Sequence, residues 1–279
     1  MTEIENKERG IEEGSIEETM LGPLWARATY SKKFPELLND EKAIEIIRNI
    51  DYDFSEISEF LGEWRAVGLM MRARRFDDAL KEYIEKFPDA TVINIGAGLD
   101  TTFFRADNGK ITMYNLDLPD VIELREDLVK ENKRNQNIAC SVFDEEWTDQ
   151  IDFSDDKGIF FIAGGFVYYF KEEKISPLIE RLARKFPGGE IIFDSISSLA
   201  SNIMNKRAEK AESDLRINLA IDDPYEMIPT WSPHIKIKDC FVLGDRTESS
   251  KGWKLKTKIM NKVSNWLKTA RIIHLKFLK

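Results

Sequence analysis

Gly96, Ala97 and Gly98 end the short apolar run Thr-Val-Ile-Asn-Ile and lead directly into Leu-Asp-Thr-Thr. A strand that ends in Gly-x-Gly turns sharply and leaves bare main chain for a ligand to approach. Asp117, in YNLDLPD, follows about 20 residues later at the end of the next apolar run, where a carboxylate can accept hydrogen bonds from ribose hydroxyls. Glycines and acid at this spacing point to a nucleoside-bearing ligand at the carboxyl edge of a sheet. The third glycine of a dinucleotide fingerprint is replaced by Thr101, and Asp100 beside it would repel a pyrophosphate. An acidic turn suits a sulfonium cation, so S-adenosylmethionine fits it better than a nicotinamide dinucleotide. The glycine-rich loop ending in Gly-Lys-Ser/Thr that cradles nucleotide phosphates is absent.

Groups able to move a proton are few. Asp194 follows the apolar Glu-Ile-Ile-Phe and stands at a strand's carboxyl end, as a candidate base or as the cap of the next helix. Asp100 and Tyr169 are the other polar groups expected near strand ends. His234 and His274 read as structural or surface histidines. Two histidines and two scattered cysteines, Cys140 and Cys240, offer no metal-ligand spacing, so no metal is expected.

The elements that must position these groups follow from periodicity. PLWARATY, EKAIEIIRNI (with Asn39 or Asp40 as cap) and EWRAVGLMMRARRFDDALKEYIEKF have helical spacing, and Pro88 ends the last. After Pro88 the pattern alternates. TVINI, KITMYNLDL, IACSVF, GIFFIAGGF and GEIIFDS read as strands, and DVIELREDLVKENKR and ISPLIERLARKF as helices between them. HIKIKDCFVL and RIIHLKF form a late strand pair around the helical NKVSNWLKT. Strand–helix alternation with a hairpin-like closing pair implies an α/β, doubly wound, mostly parallel sheet with an antiparallel closing strand. The expected organisation is a single domain over 1–279, with a helical N-terminal cap over 1–88, a core over 89–279 and a helical insert at about 199–231. Met204, Tyr225, Met227 and Trp231 of the insert either line a substrate cavity or pack on the sheet, the latter being favoured. Trp25, Arg27 and Lys33 belong to a cap that can close as a lid. The charge run KRAEKAESDLR reads as a solvated helix face.

Composition narrows the function. The 279 residues are 42% hydrophobic and carry a formal net charge of -9. An acidic surface repels phosphate backbones, which argues against nucleic acid. No window holds the roughly 20 apolar residues of a membrane span. The acidic start MTEIENKERGIEEGSIEET lacks the apolar core of a signal peptide and reads as frayed. Two lone cysteines suit a reducing compartment. The expectation is a cytoplasmic protein with a small-molecule partner, without nucleic acid or membrane.

VINIGAGLDTTFFR, YNLDLPDVIELR and FFIAGGFVYYF, in this order, resemble the leucine carboxyl methyltransferase family of class I S-adenosylmethionine-dependent methyltransferases. The nearer likeness is to the bacterial branch that includes tetracenomycin-type polyketide O-methyltransferases. The resemblance runs from GPLWARATY to RIIHLKF and implies a seven-stranded Rossmann-like sheet. It implies that Gly96, Ala97 and Gly98 lie under the methionine part of the cofactor, with Asp100 in the same turn. Asp117 would hold the ribose and Leu118 the adenine, with Ser141 and Val142 at the adenine edge. Arg72, in RARRFDD, would grip the cofactor carboxylate, because a guanidinium donates two parallel hydrogen bonds. Tyr169 would stand near the methyl group, joining Asp194 as a candidate catalytic group. Three positions depart from the family pattern. Asn94 stands where an acid is usual and Ser141 where aspartate is frequent. Gly164 precedes Gly165 where many members read Glu-Gly, which removes a carboxylate beside the cofactor site. The implied activity is O-methylation of a carboxylate or phenol. A non-catalytic S-adenosylmethionine-binding relative and a nicotinamide-dependent oxidoreductase are the alternatives.

Overall fold

A computed structural model of the protein describes residues 16–154, 156–210, 215–247 and 249–279. The expected fraying of the extreme N-terminus and the middle of the charge run, 211–214, lie outside the described residues.

Three helices come first: α1 (Ile16–Ser31), α2 (Glu41–Ile47) and α3 (Ser55–Lys86). Asp40 caps α2, its carboxylate accepting from the Ala43 amide. Gly62 breaks α3 with φ 52° and ψ -173°, so a short first limb meets a long second one at a kink. Strand and helix then alternate through β1 (Thr91–Ile95), α4 (Thr102–Ala106), β2 (Thr112–Asp117), α5 (Pro119–Leu128), β3 (Asn135–Ala139), β4 (Ile159–Ala163), α6 (Glu172–Lys185) and β5 (Glu190–Ile196). The chain closes with α7 (Ser198–Lys210), the single turn α8 (Pro224–Met227), β6 (Ile235–Val242), α9 (Leu255–Trp266) and β7 (Ala270–Phe277).

The seven strands lie in the order β3-β2-β1-β4-β5-β7-β6. β1 to β5 pair in parallel, and β7 inserts antiparallel between β5 and β6. This is the mostly parallel doubly wound sheet, with its antiparallel closing strand, that the periodicity predicts. β1 and β4 are buried along their whole length, which explains their uninterrupted apolar sequences. One face of the sheet packs Ile93, Phe161 and Phe193 against α6 and the insert, with Trp231 stacked on Phe193 at 6.4 Å. The other packs Val92, Phe160 and Ile192 against Phe76, Leu80 and Tyr83 of α3.

Two boundaries differ from the expectation. α5 stops at Leu128, because Val129 is extended and the Asn132 side chain closes a turn onto the amides of Arg134 and Asn135. β3 is Asn-Gln-Asn-Ile-Ala and ends before Ser141. Its asparagines find polar partners inside the sheet, so strand and apolar run do not coincide. Among the described residues no helix is long and apolar enough to cross a membrane.

Candidate active site

Parallel strands with a switch in their order leave a crevice at their carboxyl ends, and the predicted residues gather there in two groups. The first is built on the β1 turn. Gly96 and Gly98 have φ 63° and 43°, a left-handed conformation that glycine adopts at no steric cost. Space demands glycine as well. A Cβ on Gly96 would lie 2.7 Å from Phe166 Cδ2, and one on Gly98 2.7 Å from Met20 Sδ of α1. The amides of Gly96 and Ala97 donate to the Leu116 carbonyl, tying the turn to β2.

Asp117 ends β2 and faces this turn. Its Oδ2 accepts from the Gly98 amide and its Oδ1 from the Leu118 amide, both at 2.8 Å. Burial raises its pKa, while the two amides and Arg125 pull it down. The carboxylate therefore holds the turn in shape, and each oxygen keeps lone-pair capacity for a hydroxyl donor. Leu118 beside it is exposed.

Arg125 on α5 completes the turn, a role invisible in periodicity. Its buried guanidinium donates from Nη1 to the carbonyls of Gly98 and Asp100, each at 2.8 Å, and from Nε to Asn137 Oδ1 at 3.1 Å. Burial depresses its pKa to about 10, which leaves it a cation at neutral pH. Asn94, at the position where the family has an acid, is buried in β1. It donates to Asp100 Oδ1 at 3.2 Å and to Asn115 Oδ1 at 3.4 Å, and Asn115 donates on to Asn135 in β3.

Asp100 is engaged within its own loop. Its Oδ1 accepts from the Thr102 amide at 2.8 Å, and Arg105 lies 3.8 Å from Oδ2. Burial alone would raise its pKa, but the Arg105 and Arg27 charges outweigh it and hold the acid at about 2. The rest of the Thr-Thr-Phe-Phe-Arg motif joins the cap to the core. Arg105 grips Asp77 of α3 through Nε and Nη2 at 2.7 and 2.9 Å, and reaches Asp40 at 2.8 Å. Arg27 of α1 donates to Asp40 at 2.9 Å and to the Leu99 carbonyl at 2.9 Å, and Thr101 also donates to Asp40. Lys33 pairs with Glu63 of α3. The predicted cap thus sits directly on the glycine turn.

The second group lies at the ends of β4 and β5. Arg72 of α3 donates from Nη1 to Asp194 Oδ2 at 3.1 Å and lies 3.5 Å from the Tyr168 hydroxyl. The Gly165 amide donates to Asp194 Oδ1 at 2.6 Å. Asp194 is therefore paired with a cation and an amide, and the following helix is capped instead by Ser197, whose Oγ accepts from the Ala200 amide, and by Asp222, which accepts from the Ser198 amide. Gly165, at φ 71°, is in the left-handed region that favours glycine, and a side chain at either 164 or 165 would crowd its neighbours. A Cβ on Gly165 would lie 2.8 Å from Arg72 Nη1, and one on Gly164 2.6 Å from Phe76 Cε2. Phe76 fills the space that a glutamate at position 164 would use. Tyr168 and Tyr169 pack ring to ring at 4.8 Å, and burial raises both phenol pKa values, so both stay protonated at neutral pH.

Between the groups stands an aromatic wall. Phe143, Phe166 and Phe170 have ring centroids 4.8 to 6.3 Å apart, and Phe166 overhangs Gly96. Ser141 Oγ accepts from the Phe143 amide, and the Val142 carbonyl accepts from Trp147 and Arg181. Within the insert, Trp231 is buried and Met227 packs on the core, while Met204 and Tyr225 are exposed. His274 is buried in β7, 2.9 Å from Glu190 and away from the strand ends.

The donor set fits S-adenosylmethionine. Sharply turned, side-chain-free backbone, an acid able to accept from hydroxyls, an aromatic wall for a purine, and a buried guanidinium and carboxylate for an amino-acid tail converge on one sheet edge. Known proteins agree. The family model for leucine carboxyl methyltransferase matches residues 20–183. The chain is 34% identical over 182 residues to the tetracenomycin polyketide synthesis O-methyltransferase TcmP of Streptomyces glaucescens, covering 65% of this chain and 66% of that one, just under two thirds. It is 26% identical over 262 residues to the S-adenosyl-L-methionine-dependent methyltransferase dpfgK of Gibberella zeae, covering 85% and 86%. Among solved structures, a protein of Thermobifida fusca assigned to the methyltransferases superimposes with a TM-score of 0.58 at 14% identity, over 91% of this chain and 94% of that one. A protein of Streptomyces avermitilis from a domain-of-unknown-function family superimposes with a TM-score of 0.56 at 8% identity, over 91% and 97%. At these identities the two structures speak to the fold alone.

Proposed function

Since the chain belongs to the leucine carboxyl methyltransferase family, whose members are S-adenosylmethionine-dependent methyltransferases, we propose that it methylates an oxygen of a small molecule, a carboxylate or a phenolic hydroxyl. The carrying observation is the Gly96-Ala97-Gly98 turn braced by Asp117. In this reading Arg72, Gly96, Ala97, Gly98, Asp100, Asp117, Leu118, Ser141, Val142 and Gly164 form the cofactor site. Asp117 accepts from the ribose, the glycines lie against the amino-acid part, and Arg72 draws the carboxylate. Asp100 acts through the shape of the loop. Family membership leaves the nicotinamide reading without support.

When bound, S-adenosylmethionine supplies an electrophilic methyl group on a sulfonium. The chain's own contribution is to hold an acceptor oxygen in line with that carbon and to exclude water. The candidate catalytic groups define which acceptor suits the site. Asp194 is committed to Arg72 and Gly165, and the Tyr169 phenol stays protonated. Neither is a free base, so the acceptor must arrive ionised. Tyr169 then serves as a hydrogen-bond donor that orients the oxygen. A carboxylate or an acidic phenol meets this requirement, whereas an aliphatic alcohol does not.

A transfer assay with radiolabelled S-adenosylmethionine tests this over a panel of carboxylic acids, acidic phenols and alcohols. Label should enter the first two classes only. Tight cofactor binding with no transfer to any acceptor would favour a non-catalytic relative, the reading that Phe76 in the space beside Gly164 supports.

A further inference from the structure

Helix α9 is turned inside out. Its protein-facing side carries buried Thr257, which donates to Glu63, and half-buried Asn261, Ser264 and Asn265. Its outward side carries Leu255, Ile259, Val263 and Trp266, exposed by 73%, 51%, 43% and 81%. Positions 255, 259, 263 and 266 fall on one stripe of an α-helix. A surface helix normally buries such a stripe, and a contiguous apolar strip left outside marks an interaction site.

Charge indicates the occupant. Exposed Lys256 and Lys262 flank the stripe, and exposed Lys254 and Lys268 lie just beyond the helix ends. The helix and its flanks, residues 251–268, contain six lysines and no Asp or Glu, in a chain whose formal net charge is -9. Cationic charge is therefore gathered around this strip, against the sign of the molecule. The same helix of a second copy would match the stripe but set lysine against lysine. An anionic bilayer matches both, with apolar side chains at the acyl boundary, lysines at the headgroups and an indole at the interface. We propose that α9 docks this protein on anionic membrane surfaces, lying in the interface without spanning it. This revises the expectation that no membrane takes part.

Co-sedimentation of the full chain with vesicles tests the assignment, using phosphatidylcholine alone and phosphatidylcholine with one third phosphatidylglycerol. Partitioning onto the anionic vesicles should exceed that onto neutral ones by about tenfold or more and fall steeply at high salt. Binding should shift tryptophan emission to the blue, and Trp266→Phe should abolish the shift while keeping the binding. Lys256→Glu with Lys262→Glu, which spares the stripe, should weaken partitioning roughly fivefold per lysine. Ile259→Ser with Val263→Ser should release the protein while leaving S-adenosylhomocysteine affinity unchanged, which shows the variant folded. Equal or absent partitioning on both vesicle types overturns the proposal. So does a dimer in sedimentation velocity that Ile259→Ser dissolves, which would assign the strip to a second copy. Trp266 shielded from acrylamide in the vesicle-free monomer overturns it too, since the chain itself would then cover the strip.

Discussion

Asp117 serves twice, as the acceptor for two backbone amides of its own turn and as the proposed partner of the ribose. Asp117→Ala removes both services, at about 1.5–3 kcal/mol for each hydrogen bond to the charged group. Calorimetry with S-adenosylhomocysteine should show at least a roughly tenfold loss of affinity; unchanged affinity would place the site elsewhere. Asp100 gives a pH signature. Its folded pKa, about 2, lies below that of an unfolded aspartate, so the unfolded chain takes up its proton first as pH falls. The stability it contributes is full above the unfolded value and disappears between about pH 4 and pH 2. Asp100→Asn should be less stable at neutral pH and lose less stability over that acid range, as urea melts at several pH values would show. Equal slopes for both proteins would mean that Arg105 and Arg27 do not hold this carboxylate.

Individual elements owe their geometry to a few backbone choices. Gly62 kinks α3 at φ 52°, and a Cβ added there would meet no atom within 4 Å, so Gly62→Ala costs conformational strain alone. The expected cost is about 1–3 kcal/mol. Gly68 lies in the regular second limb, where an added Cβ also meets nothing within 4 Å. Gly68→Ala should therefore stabilise by roughly 0.5–1 kcal/mol. Denaturant melts of the two variants should move in opposite directions; a shared sign would contradict the kink. At this scale much was legible in the sequence. TVINI and GIFFIAGGF announce themselves because both faces of those strands are buried. β3 does not, because Asn115 supplies its asparagines with partners from the next strand. Arg125 and Arg105 were hidden for a related reason. Each is a charge on a short helix, indistinguishable in one dimension from a solvated one, and its partners on other elements lie 12 to 65 residues away.

Across the whole molecule, the cap and the sheet are joined by buried charge. Arg105 holds Asp40 from the cap and Asp77 from α3, while Arg27 reaches from α1 to Leu99 beside the glycine turn. Removing one partner of such a network leaves uncompensated buried carboxylates, which costs about 3–5 kcal/mol. Arg105→Met should therefore lower stability by that amount and weaken S-adenosylhomocysteine binding, because Met20 of the cap lies on Gly98. A destabilised variant with wild-type affinity would separate cap docking from the site. The β1 turn as the seat of S-adenosylmethionine underlies the proposed methyl transfer. A crystal structure of the protein with S-adenosylhomocysteine tests it most directly. The ribose hydroxyls should lie on the Asp117 carboxylate, with the amino-acid tail along Gly96–Gly98 towards Arg72. A ligand bound elsewhere, or a turn with the ribose turned away from Asp117, would contradict it.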